Sequence, residues 1–203
     1  MIYILLFLVL FTGCCKTEVI DEDSMNGFDA KLIYNASCDE SLIIKNNEKS
    51  FELNLSNISP WKIQFCNIDG DEIELAIGVK KKSPYHSEKV KRLFLYNLSF
   101  KNKRLKPKLR ISRLSNPLVD FCMLDIDGDG FDEIISIEKD IKNCFDFNGY
   151  DYANAFVFEK NYRSKKLNAK PYFIDKNGSI KVENEIYELF LDGGEIKWQR
   201  KDI

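Results

Sequence analysis

Apolar residues along this chain fall into short runs, and Asn, Asp, Ser, Gly and Pro interrupt them about every ten residues. No long stretch holds a 3.6-residue period, so helices are not expected. Fourteen strands are predicted instead: Asp29–Tyr34, Ser41–Lys45, Phe51–Leu55, Trp61–Cys66, Glu74–Val79, Arg92–Leu98, Leu105–Ser112, Leu118–Leu124, Glu133–Ile137, Ala155–Lys160, Tyr172–Ile174, Ser179–Val182, Ile186–Leu191 and Glu195–Gln199. Such even spacing is the pattern of an all-β sandwich, barrel or propeller.

The first residues follow a different rule. Met1 to Gly13 is an apolar run too short to span a bilayer as a helix, and it matches the core of a signal peptide. Thr12-Gly13-Cys14 resembles the lipobox of bacterial lipoproteins, which implies cleavage before Cys14 and a lipid on that cysteine. Phe11 stands where the lipobox usually has Leu, and no Lys or Arg precedes the core. From Cys14 to Gly27 the chain is acidic and poor in bulky groups, and it is expected to be a tether because it cannot bury enough surface to offset its ordering entropy. Residues 28–203 then form one domain, long enough for a substantial core.

One stretch carries chemistry. Asp125-Ile-Asp-Gly-Asp-Gly-Phe-Asp-Glu133 lies between two predicted strands. It places acids at its first, third and fifth positions (Asp125, Asp127, Asp129), a main-chain carbonyl at the seventh (Phe131) and an acid at the ninth (Glu133). Calcium takes six to eight oxygens in a flexible geometry, and a loop of this kind can supply them. An EF-hand is excluded, since that needs twelve residues between helices. Asp and Gly also dominate ordinary hairpin turns, but four acids at ligand spacing exceed what a turn requires.

The same stretch has a copy. Ser59-Pro60-Trp61 through Ile68-Asp69-Gly70-Asp71 parallels Asn116-Pro117-Leu118 through Ile126-Asp127-Gly128-Asp129, and each copy is followed by an acid and an aliphatic strand. Aromatic-rich strands, Leu93–Tyr96 and Ala155–Phe158, follow in turn. The period of about 57 residues suits a four-stranded propeller blade with a long loop. The chain resembles the FG-GAP/VCBS repeat family of calcium-loop β-propeller repeats, found in integrin α-subunits and bacterial surface proteins. That resemblance covers Ser59 to Lys160 and implies calcium ligands at Asp125, Asp127, Asp129, the Phe131 carbonyl and Glu133. In the first loop Asn67, Asp69 and Asp71 hold the corresponding places. There, however, Glu72 replaces the turn glycine and the closing acid, Glu74, arrives one residue early, so weak binding or a bare turn is expected. The implied architecture is a β-propeller-like array of about four four-stranded units, incomplete or open, with blades at 28–57, 59–113, 116–174 and 175–200.

Composition narrows the remaining chemistry. Formal net charge is −2, but thirteen Lys and Arg residues against one Glu crowd the segment from Lys80 to Arg113. Lys106, Lys108 and Arg110 alternate and are expected to share one face. Such a face suits an anionic glycan or an acidic protein partner, or simply protects an edge strand. No nucleic-acid reader motif is present. Cys38, Cys66, Cys122 and Cys144 permit two disulfides in three connectivities, while Cys66 and Cys122, on strands, also suit buried thiols. The single histidine, His86, sits in a polar stretch expected to be a solvated loop rather than a positioned base.

The expected function is therefore non-enzymatic: an exported, calcium-binding β-repeat protein, held to a bacterial membrane by lipid and facing the periplasm or the cell surface. An envelope polysaccharide hydrolase or lyase is the alternative, and it would require a concave site with further acids.

Overall fold

The computed structural model describes residues 17–35, 37, 39–70, 73–83, 86–111, 118–139, 145–151, 158–163, 173–182, 185–193 and 195–201. Every regular element among them is a strand. The first sheet contains β1 (Glu18–Met25), β2 (Phe28–Tyr34), β3 (Glu40–Lys45) and β4 (Ser50–Asn54). The second contains β5 (Pro60–Cys66), β6 (Glu74–Ser83), β7 (His86–Ser99) and β8 (Arg104–Ile111). The third contains β9 (Leu118–Leu124), β10 (Glu133–Lys139), β11 (Phe145–Asp151) and β12 (Phe158–Arg163). The fourth contains β13 (Phe173–Ile174), β14 (Ser179–Val182), β15 (Glu185–Asp192) and β16 (Glu195–Arg200). Each sheet is an antiparallel meander of neighbours in sequence.

Alternation along the strands explains how the sheets stack. Ile63, Phe65, Leu75, Ile77 and Val79 of the second sheet pack with Leu32, Leu42, Ile44 and Phe51 of the first. The intervening residues Cys66 and Ala76, with Leu93 and Leu95, point the other way, onto Phe121, Met123 and Ile134 of the third sheet. From the far face of the third sheet Cys122, Ile135 and Ile137 meet Ile174 and Ile180 of the fourth. The two middle sheets are thus covered on both faces, so β5, β6, β9 and β10 read as nearly continuous apolar runs.

Two segments differ from the sequence-based expectation. Residues 18–25, assigned to the tether, form β1, which pairs with β2 from Glu18↔Tyr34 to Met25↔Phe28. Its acids are not solvated spacers: Asp21 accepts the Ile63 main-chain N–H at 2.7 Å and Asp23 that of Phe65 at 2.6 Å. The first unit accordingly begins at residue 18 rather than 28. In the third sheet the third strand is β11, which the sequence hides because Asn148-Gly149 in its middle reads as a turn. The strand expected at 155–160 is the fourth, β12, beginning at Phe158. It does not correspond to Leu93–Tyr96, which belong to the third strand, β7, of the second sheet. His86 is also not in a loop, since it opens β7 opposite Ser83.

Polar side chains join successive first strands by gripping main-chain groups. Gln64 of β5 takes the Met123 N–H at 3.0 Å and donates to the Met123 carbonyl at 2.8 Å. Asp120 of β9 accepts the Ile174 N–H at 2.9 Å while Lys62 donates to the Ile174 carbonyl at 2.6 Å, and the two side chains pair at 2.9 Å. Lys176, just beyond β13, reaches back to Asp21 at 3.0 Å and to the Glu22 carbonyl. A buried polar residue on a strand is costly unless it is hydrogen-bonded, and each of these is.

Candidate metal centre

A turn glycine at positive φ recurs after the first strand of every sheet. Asn26-Gly27, Asp69-Gly70, Asp127-Gly128 and Asn177-Gly178 each end on a glycine, with φ of +79°, +78°, +78° and +78°. A Cβ disfavours that conformation. The four connections then differ in length, and the one between β9 and β10 is the longest.

In that longest loop, Asp125 is the organiser. Its Oδ1 accepts from Gly128 N at 2.6 Å and Asp129 N at 3.1 Å, and its Oδ2 accepts from Gly130 N at 2.9 Å. Glu133, buried at the start of β10, accepts from Ile126 N at 3.1 Å. Oxygens of Asp125, Asp127 and Glu133 lie within 4.8 Å of one another. Ligands on opposite sides of a calcium ion, each about 2.3–2.6 Å away, are separated by about that much. The three carboxylates therefore fit a hard divalent cation, though hydrogen bonds within the loop would account for the folded turn equally well. Asp129 is not brought into the cluster: its carboxylate accepts the Phe131 N–H at 2.8 Å. The Phe131 ring lies against Gly70, where an added Cβ would stand 3.2 Å away.

The first loop repeats much of this geometry with a different centre. Asn67 Oδ1 accepts from Gly70 N at 2.9 Å, and Glu74 Oε2, fully buried, accepts from Ile68 N at 2.6 Å. Between Asp69 and Glu74 sits the ammonium of Lys108, paired with both. Burial pushes the Glu74 carboxyl up, against the opposing pull of Lys108 and the Ile68 N–H. Burial works against the Lys108 charge as well, yet its contacts with Asp69 and Glu74 prevail and raise its pKa. Asp71 lies outside the described residues.

The two loops are docked on each other through Asp132, a residue the sequence pattern leaves without a role. Asn67 N donates to Asp132 Oδ2 at 2.7 Å, Asp132 N donates to the Asn67 carbonyl at 2.7 Å, and Asn67 Nδ2 donates to the Gly130 carbonyl at 2.7 Å. Burial raises the Asp132 carboxyl, with the Asn67 N–H opposing. Nothing in a single sequence marks an acid that serves the neighbouring loop.

Other expected sites resolve as follows. Cys66 and Cys122 are buried free thiols, raised mainly by burial, whereas Cys14, Cys38 and Cys144 lie outside the described residues. A bulge divides the basic row on β8. The register passes from Leu95↔Leu109 to Tyr96↔Pro107 with Lys108 in the bulge, so Lys106, opposite Asn97, and Arg110, opposite Phe94, lie on opposite faces rather than one; both are exposed, whereas Lys108 reaches Glu74 on the Lys106 face. No family model and no curated protein matches the chain.

Proposed function

We propose that this protein is a non-enzymatic, calcium-binding β-repeat lipoprotein of the cell envelope, of the FG-GAP/VCBS kind. Lipid on Cys14 would hold it to the membrane and its loops would face a glycan or protein partner. The observation that carries the reading is the convergence of Asp125, Asp127 and Glu133 oxygens within 4.8 Å in a loop organised by its own amides. In this reading calcium is structural. It neutralises three carboxylates that repel when the loop is empty, and through Asp132 it steadies the seam between the second and third sheets.

The four sheets are read as blades about one axis, with β1, β5, β9 and β13 innermost. The contacts from Asp21 and Asp23 to β5, Gln64 to β9, Asp120 to β13 and Lys176 back to Asp21 support that arrangement. An experimental density map with the fourth sheet remote from β1 would overturn it.

Thermal unfolding of the full chain in mild detergent, with calcium or with chelator, tests the metal. Calcium at a hundredfold excess over Kd should add about 2.7 kcal/mol, or about 5–11 °C in Tm at this size. Asp127→Asn should remove that rise, and equal Tm values in both conditions for the unaltered chain would overturn the assignment. Replacing Cys14 with Ser should leave an unlipidated precursor by mass spectrometry; a lipidated product would refute the anchor.

A further inference from the structure

We infer that Lys108 is a built-in counter-cation of the first loop, occupying the place a divalent ion would take, so that this loop is permanently closed to metal. The two loops share two framing hydrogen bonds. Asn67, Asp69 and Glu74 stand where Asp125, Asp127 and Glu133 stand in the second loop. The first residue of each accepts the N–H of the turn glycine, and the last accepts the N–H of the loop's second residue.

Charge follows the same correspondence. Three carboxylates with a divalent ion leave one unit of negative charge. In the first loop Asn67 replaces one of those carboxylates, and two carboxylates with one ammonium leave the same unit. Ammonium suits the place because it is a compact point charge with three donors and no acceptor. Its need is equally clear: Glu74 is fully buried, and a buried carboxylate must be paired or hydrogen-bonded.

The register delivers the side chain. Glu74 lies opposite Asn97 and Asn97 opposite Lys106, so these side chains share one face, and Lys108, in the bulge two residues on, reaches Glu74 from that face with its side chain only 10% exposed. The lysine and the Asn at position 67, where the second loop has Asp125, are two separate departures from that loop, and their charges compensate: one removes a carboxylate and the other supplies a cation.

This inference is tested independently of the second loop by working in an Asp127→Asn background. The full chain carrying D127N alone should bind no calcium by titration calorimetry and show equal Tm with calcium and chelator. Adding Lys108→Gln should create one calcium site, with Kd of about 0.1–1 mM, the range of extracellular modules, and a chelator-reversible rise in Tm. Adding Asp69→Asn to that pair should abolish the new site. If K108Q/D127N refolds from urea only in calcium, the same conclusion holds. If it folds and binds no calcium, or refolds in neither condition, the inference fails. It fails too if D127N alone binds calcium as tightly as K108Q/D127N.

Discussion

Asp120→Ala should be among the most damaging single changes in the molecule, and the reason lies in what it leaves behind. The Asp120 and Lys62 side chains are 7% and 11% exposed, and they pair at 2.9 Å. Asp120 also accepts from Phe121 N at 2.8 Å and Ile174 N at 2.9 Å. Truncation strands the Lys62 ammonium with the Ile174 carbonyl and the edge of its contact with the Phe121 ring, 5.3 Å to the centroid. Removing one member of a buried pair costs about 3–5 kcal/mol, equivalent to about 6–20 °C in Tm for a chain of this size. Lys62→Met should cost less, about 1–3 kcal/mol, because Asp120 keeps both N–H donors and Met keeps the apolar stem. The double variant should be less destabilised than the sum of the singles, yet not neutral, since Ile174 then lacks partners for both main-chain groups. Urea unfolding followed by circular dichroism and tryptophan fluorescence measures all three. A loss below about 1 kcal/mol for D120A, the range of a surface pair, would refute the reasoning, as would K62M proving worse than D120A.

Two further outcomes follow from the packing and from titration. Gly78→Ala should destabilise by about 1–3 kcal/mol, because the new Cβ would stand 2.7 Å from Trp61 Cε2 and 2.9 Å from Phe121 Cε1; a gain in urea midpoint would contradict it. Burial raises the Asp23 carboxyl above its ordinary 3.8, despite the N–H of Phe65 and the nearby Lys176. The native state therefore holds that proton more tightly than the unfolded chain, and stability falls as pH rises from 3.8 through the folded value. Asp23→Asn should lack this component, so its stability should decline less over that window; parallel profiles for the two proteins would show the sign to be wrong.

The strands were legible where apolar side chains meet a core on one or both faces, as in β5, β6, β9 and β10. They were illegible where polar atoms do the joining. β1 reads as an acidic spacer because Asp21 and Asp23 bond to main-chain N–H groups of β5, a role that leaves no periodic apolar signal. β11 is masked by Asn148-Gly149, a turn signature placed inside a strand. At the candidate site the sequence marks Asp125, Asp127 and Glu133 through their spacing. It does not mark Lys108, which reaches Glu74 from 34 positions further along the chain. Nor does it mark Asp132, whose partner Asn67 is 65 residues away.

The bond from Lys176 to Asp21 spans 155 residues, and that distance sets a timetable. Contacts between neighbouring sheets close over shorter intervals, 42 residues for Asp21 with Ile63, 59 for Gln64 with Met123 and 54 for Asp120 with Ile174. Each can form soon after its second strand leaves the ribosome. The lysine that reaches the oldest strand arrives about 8–31 s after Asp21, at about 5–20 residues per second. Three sheets are therefore synthesised before the residue that latches the fourth to the first, and a chain interrupted just upstream of Lys176 carries most of its core but not its clasp.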